Sequence, residues 1–202
     1  MIALRVALAA FLFAPAAVAA PEAAPPPGQA AAVFAGGCFW CMEGPFDALD
    51  GVLSTTSGYT GGSVPDPSYD QVSAGTTGHV EAVRVVYDPK RVDYAKLLDV
   101  FWRNVDPLDA GGQFCDRGSQ YASAVFVAEA AEQQAAEESK QKLAARFGTS
   151  IATDIRSAGP FYAAEAYHQD YYRKNPFRYR YYRGGCGRDA RLEKVWGSAP
   201  AH

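Results

Sequence analysis

Cys38 stands directly after two glycines and directly before two aromatics, in Gly36-Gly37-Cys38-Phe39-Trp40-Cys41-Met42-Glu43. The thiolate is the nucleophilic form of cysteine. Unpaired N–H groups and the positive end of the dipole favour that form at a helix start. The neighbours suggest such a start. Residues 30–35 are apolar and read as a buried strand, and Phe39, Met42, Phe46 and Leu49 recur at helical spacing. The glycines permit the sharp turn between the two and leave the sulfur accessible. Phe39 and Trp40 offer an apolar wall. Glu81 is the second group suited to chemistry. It shares one face of a strand-like run, residues 79–87, with Val83, Val85 and Tyr87. A carboxyl in line with an apolar row is partly buried, which raises its pKa toward that of a general acid.

The elements that must position these groups follow in order. Residues 52–59 have the β-branched content of a strand, closed by Gly61-Gly62. Residues 63–78 are loop, punctuated by Pro65, Pro67, Gly75 and Gly78. Residues 92–105 predict a helix capped by Asp93, with Leu97, Leu98, Phe101 and Trp102 as its core stripe. Residues 111–120 are a loop, 121–127 a strand, 129–147 a long alanine-rich helix facing solvent, 151–157 a short strand and 163–173 a helix. Beyond Asn175-Pro176 the chain reads as an irregular C-terminal tail. Strands alternating with helices, with one hairpin pair, give a single two-layer α/β (α+β) domain. Its expected architecture is a mixed sheet with packed helices, a ferredoxin-like elaboration.

Composition sets further bounds. Residues 1–20 read as a secretory signal peptide: Arg5 is the only charge, residues 7–13 are apolar, and Ala17-Val18-Ala19 is a cleavage pattern. Residues 21–30 are a proline- and alanine-rich spacer, 31–197 the catalytic domain, and 198–202 a disordered tail. The net charge is −3, so nothing global suggests nucleic acid. From Arg156 to Lys194 there are nine Lys/Arg against four Asp/Glu, among seven tyrosines. In an exported chain this reads as a solvated, partly packed segment. The apolar run at the N-terminus is too short to span a bilayer.

Several separated stretches resemble one family, the A-type peptide methionine sulfoxide reductases. The octapeptide around Cys38 is similar to its nucleophile motif. Ser57-Gly58-Tyr59-Thr60-Gly61-Gly62, Pro67-Ser68-Tyr69, Thr77-Gly78-His79-Val80-Glu81, Asp116-Arg117-Gly118-Ser119-Gln120-Tyr121 and His168-Gln169-Asp170-Tyr171 are similar to its later blocks. The resemblance spans residues 31–197. It implies reduction of methionine S-sulfoxide, free or in proteins, with Cys38 as nucleophile and Glu81 as general acid. It also implies that Tyr69 and Tyr121 donate to the sulfoxide oxygen, that Asp116 supports the pocket, and that Phe39 and Trp40 hold the S-methyl group. Cys38 becomes a sulfenic acid, a second thiol resolves it, and a thioredoxin-type dithiol restores the enzyme. No cofactor or metal is implied. The expected partners are oxidised proteins and that reductant, with no membrane association, for a periplasmic monomer. His79 and His168 read as structural.

Three cysteines compete for the resolving role. Cys186 ranks first, in Gly184-Gly185-Cys186-Gly187, a glycine-rich tail able to reach the site. Cys41 is next, three residues after Cys38. Cys115 is third, in Gln113-Phe114-Cys115-Asp116, where the family often reads Gln-Gly-Asn-Asp. A C-x-x-C thiol–disulfide oxidoreductase is the competing enzyme class, but the thioredoxin pattern lacks Phe-Trp between its cysteines. A zinc module built from all four cysteines lacks the needed spacing.

Overall fold

The computed structural model describes residues 21–197. The leader expected at 1–20 and the tail expected at 198–202 lie outside the described residues. β1 (Ala30–Gly36) leads into α1 (Trp40–Asp47), β2 (Val52–Thr60), α2 (Tyr69–Ser73), β3 (Val80–Tyr87) and α3 (Tyr94–Arg103). A short ladder of β4 (Gly112–Gln113) and β5 (Asp116–Arg117) precedes a 3-10 turn, Ser119–Tyr121. Then come β6 (Ser123–Val127), α4 (Ala130–Phe147), β7 (Asp154–Ser157), β8 (Phe161–Ala163), α5 (Tyr171–Lys174), α6 (Pro176–Gly185) and α7 (Arg188–Trp196). The six-stranded sheet has the order β7-β6-β1-β3-β2-β8. All its pairs are antiparallel except β6 with β7, so it is the mixed sheet that the alternation of elements implies.

Period-2 alternation divides β1, β3 and β6 between two apolar faces. Phe34, Val83, Val85 and Val125 belong to the larger core. Phe34 stacks on Phe46 of α1 at 5.0 Å and on Phe101 of α3 at 5.3 Å. Each such ring, fully buried, stabilises by about 2–3 kcal/mol. α3 buries Leu97, Leu98, Phe101 and Trp102, as its spacing predicts, and the Asp93 carboxylate caps it by accepting from the Lys96 N–H at 2.7 Å. The other face carries Ala82, Ala124, Phe126 and Phe161. There Arg84 donates to the Ala23 carbonyl at 2.7 Å, and the Glu22 N–H donates to the Phe161 carbonyl at 2.8 Å. The proline-rich spacer therefore lies against the sheet.

Three expectations are corrected. Residues 63–78 contain α2, held by a reciprocal capping box between Ser68 and Gln71. The helix expected over 163–173 does not form, because Phe161–Ala163 pairs with β2 and α5 begins only at Tyr171. The Gln169 side chain bonds both backbone groups of Ser57 at 2.9 Å, and Asp170 takes a φ of 53°, outside the helical region. The tail past 175 is helical rather than irregular. Pro176 starts α6, where a missing N–H loses no helical bond. α7 docks by burying Arg188, Leu192 and Trp196. Among the described residues no helix is long and apolar enough to cross a membrane.

Candidate active site

The turn before Cys38 depends on both glycines. Gly37 has φ +80°, and a Cβ on it would sit 2.5 Å from Gln113 Cβ. A Cβ on Gly36 would meet Met42 Sδ at 2.6 Å. Cys38 is 6% exposed. The Phe39 N–H, free at the helix start, donates to Glu81 Oε2 at 3.1 Å rather than to the sulfur. Burial pushes the Cys38 thiol well above its ordinary pKa, and its hydrogen bond with Cys41 adds to the rise. The Cys41 thiol is drawn down, first by that hydrogen bond and then, against burial, by Arg188 and Arg183. This corrects the expectation of a depressed pKa at Cys38. Desolvation outweighs the helix terminus there.

Cys38 opens into a cavity of about 80 Å³ lined by Phe39, Trp40, Tyr69, Glu81, Asp116, Tyr121 and Tyr182. All but Tyr182 are residues singled out in the sequence. Glu81, 2% exposed, is pushed up to about 8 by burial, against the hydrogen bond from Phe39. It keeps its proton at neutral pH. Tyr69 and Tyr121 both line the cavity; burial raises Tyr69 to about 12 and raises Tyr121 as well. Both remain donors. Glu165 fixes Tyr69 by accepting from its backbone N–H at 2.8 Å, and accepts from the Tyr59 hydroxyl at 2.8 Å. The Trp40 indole N–H donates to His168 Nδ1 at 3.0 Å, and the ring stacks on Tyr171 at 3.7 Å. His168 also packs against Phe39 and Tyr69 at 5.0 and 4.5 Å. Asp116 accepts from the Tyr182 hydroxyl at 2.6 Å, and Tyr182, beside Cys38 in the cavity, acts against the burial that raises that thiol.

A family model described as Peptide methionine sulfoxide reductase matches residues 30–200. The chain belongs to that family. Over 167 residues it is 54% identical to peptide methionine sulfoxide reductase MsrA 2 of Caulobacter vibrioides, covering 82% of this chain and 85% of the relative. Over 168 residues it is 52% identical to MsrA of Bacillus licheniformis, covering 82% and 93%. The fold is similar to that of reduced Mxr1 from Saccharomyces cerevisiae, with a TM-score of 0.72 at 33% identity over 77% of this chain and 90% of that one.

In this member of the peptide methionine sulfoxide reductase family the four cysteines form two pairs. Cys38 and Cys41 are buried and free, and Cys115 and Cys186 are joined in a disulfide. The disulfide also closes the one cluster of potential metal ligands found among the described residues, Cys115, Asp116 and Cys186. Cys186 is not on a loose tail. It caps α6, and buried arginines flank it. Arg183 pairs with Asp189. Arg188 donates to the carbonyls of Gly36 and Asn104 at 3.1 and 2.6 Å, under the nucleophile turn. Its Nε and Nη1 have no hydrogen-bond partner.

Sequence reasoning missed Tyr182, Glu165 and Arg188. Tyr179, Tyr182, Arg183 and Cys186 recur at helical spacing, a signal that could have turned Tyr182 inward. Arg188 and Glu165 give no local signal, because their partners lie far away in the sequence.

Proposed function

We propose that the chain reduces methionine S-sulfoxide, free or in proteins, to methionine. The observation that carries this reading is one small cavity holding a cysteine sulfur, a protonated carboxyl and two tyrosine hydroxyls between aromatic walls. Phe39 and Trp40 hold the S-methyl group. Tyr69 and Tyr121 donate to the sulfoxide oxygen, and Glu81 protonates it as charge develops there. Cys38 gives up its proton along the hydrogen bond to Cys41 as its sulfur attacks. Oxygen passes to Cys38, leaving a sulfenic acid and methionine.

The hydrogen bond between Cys38 and Cys41 supports Cys41 as the resolving thiol, ahead of Cys186, which is bonded to Cys115. Attack by Cys41 forms the Cys38–Cys41 disulfide and releases water. The Cys115 and Cys186 thiols then exchange with that buried bridge and become the outer disulfide, which a thioredoxin-type dithiol reduces. Export to the bacterial periplasm is part of the proposal, supported by the leader-like pattern of residues 1–20; a mature protein beginning near Pro21 would bear it out.

The test is single-turnover reduction of a methionine S-sulfoxide peptide. Cys38→Ser should abolish it. Cys41→Ser should complete one turnover, more slowly because the proton acceptor is lost, and accumulate the Cys38 sulfenic acid. Turnover near wild type in Cys38→Ser would remove the reading, and a disulfide formed as fast without Cys41 would remove its resolving role.

A further inference from the structure

Opening the outer disulfide leaves three metal-ligating groups side by side. The Cys115 and Cys186 sulfurs and the Asp116 carboxylate lie within 4.8 Å of one another. Asp116 Oδ1 is 3.8 Å from Cys115 Sγ, and Oδ2 is 4.0 Å from Cys186 Sγ. Zinc binds sulfur at about 2.3 Å and a carboxylate oxygen at about 2.0 Å. A tetrahedral ion with those bonds holds sulfur and oxygen roughly 3.5 Å apart and two sulfurs roughly 3.8 Å apart. The carboxylate already stands near the first spacing. Unbonded atoms in contact sit about 3.5–4.0 Å apart, so two sulfurs released from their bond settle near the second.

The surroundings orient these groups. The Tyr182 hydroxyl donates to Asp116 Oδ2 at 2.6 Å, which leaves Oδ1 to face a metal. Such an outer hydrogen bond is how a ligating carboxylate is held in place. The Cys115 N–H donates to Cys186 Sγ at 3.2 Å, a bond that strengthens when that sulfur carries charge. Both cysteines line an open cleft of about 550 Å³ with Tyr182, Gly184 and Gly185. A Cβ at Gly184 or Gly185 would meet nothing within 4 Å, so water reaches the cluster from that side.

We propose that the reduced chain binds one zinc ion through Cys115, Cys186 and Asp116, with water as the fourth ligand, and that the ion keeps the two thiols from exchanging with the inner bridge. Each thiol releases a proton to solvent as its sulfur bonds to the metal, and no electron moves in that step. Two thiolates make the ligand set soft, which selects zinc over magnesium or calcium. Disulfide and zinc exclude each other, because sulfurs bonded together carry no charge to offer an ion. Cys38 and Cys41 take no part. Metal binding depends on the three ligands alone; the arrest of exchange rests on the sulfoxide-reductase reading.

The experiment uses the full chain, reduced with a phosphine, separated from it and titrated with zinc sulfate. Metal analysis after gel filtration should find one zinc per reduced chain and none on the oxidised chain. Cobalt(II) in place of zinc should give a thiolate-to-metal charge-transfer band. A chain carrying both Cys38→Ser and Cys41→Ser should keep both signals, and Cys115→Ser and Cys186→Ser should each lose them. Asp116→Asn and Tyr182→Phe should each weaken zinc binding roughly tenfold or more. A reduced chain that retains no zinc, or an oxidised chain that retains as much, overturns the site without recourse to any variant. Loss of zinc in the Cys38 and Cys41 double variant places the ion on the buried pair and overturns it too. Undiminished binding in Asp116→Asn overturns the three-ligand set. One equivalent of sulfoxide peptide added to the zinc-loaded chain should leave the bridge at Cys38–Cys41, read by peptide mapping, until a chelator lets it pass to Cys115–Cys186. A Cys115–Cys186 bridge formed with zinc still present overturns the arrest. A metal-free chain that yields no methionine would instead strike the reductase reading and leave the zinc stoichiometry standing, so the two failures are distinguishable.

Discussion

Glu81 has to hold a proton where most carboxyls have lost theirs. Burial raises it to about 8, so it is protonated below that pH and loses its proton above it. The rate of sulfenic acid formation should therefore fall as pH rises through about 8. Glu81→Gln keeps the shape and a donor but no transferable proton, and should slow that step 10²–10⁴-fold, the usual worth of a positioned acid. It should also abolish the alkaline fall. Rapid-quench measurement across pH 6–9 checks both, and a fall that persists in the glutamine variant would assign the proton to Asp116 or Cys38, which line the same cavity. The placement of Glu81 was legible because a carboxyl in a period-2 apolar row has little room to escape burial. The position of Cys38 was legible from its glycines. Its ionisation was not, because the cavity around it is completed by Tyr69, Tyr121 and Tyr182, far along the chain.

At the scale of elements, α2 brings Tyr69 to the cavity with only five residues, too few for a periodic signal. Its sequence mark was the cap: Ser68 accepts from the Gln71 N–H, and the Gln71 side chain accepts from the Ser68 N–H at 2.9 Å. Ser68→Ala removes half of that box, about 1 kcal/mol of helix-start stability. The kcat/KM for sulfoxide should drop about fivefold if all of it reaches the transition state. KM for thioredoxin should not move, and Ser68→Thr should restore the loss. No change in kcat/KM would mean that Glu165 alone fixes Tyr69. α3 was legible because its stripe and its cap agree. The segment 163–173 was misread because its polar side chains bond to distant backbone, such as Gln169 to Ser57, which helical spacing cannot reveal. The C-terminal helices were hidden by Gly184, Gly185 and Gly187, which look like a loop but stand where α6 ends and α7 begins.

Two buried carboxyls tie the stability of the whole molecule to pH. Glu43 is raised to about 7 and Glu81 to about 8, each mainly by burial, from an ordinary value of 4.5. Between 4.5 and those values the folded chain holds protons that the unfolded chain has released. Where the folded state binds more protons, unfolding free energy falls as pH rises. The contribution of each group is fully present below 4.5 and lost as pH passes about 7 for Glu43 and about 8 for Glu81. Asp109 and Glu165 are shifted the other way, so their stabilising effect fades only in acid, below this window. Cys38 is raised and Cys41 lowered, so they act in opposite directions. Comparison with a variant isolates the carboxyl: wild type minus Glu81→Gln removes every shared term. That difference in unfolding free energy should move against the wild type between pH 5 and pH 8.5, by on the order of a few kcal/mol for a buried group. Glu43→Gln, at a carboxyl raised less far, should show a smaller movement that ends nearer pH 7. Denaturant unfolding at a series of pH values reads both. A Glu81 difference that stayed flat would mean that this carboxyl is already ionised in the folded chain, and the proton assigned to it in catalysis would have to come from elsewhere.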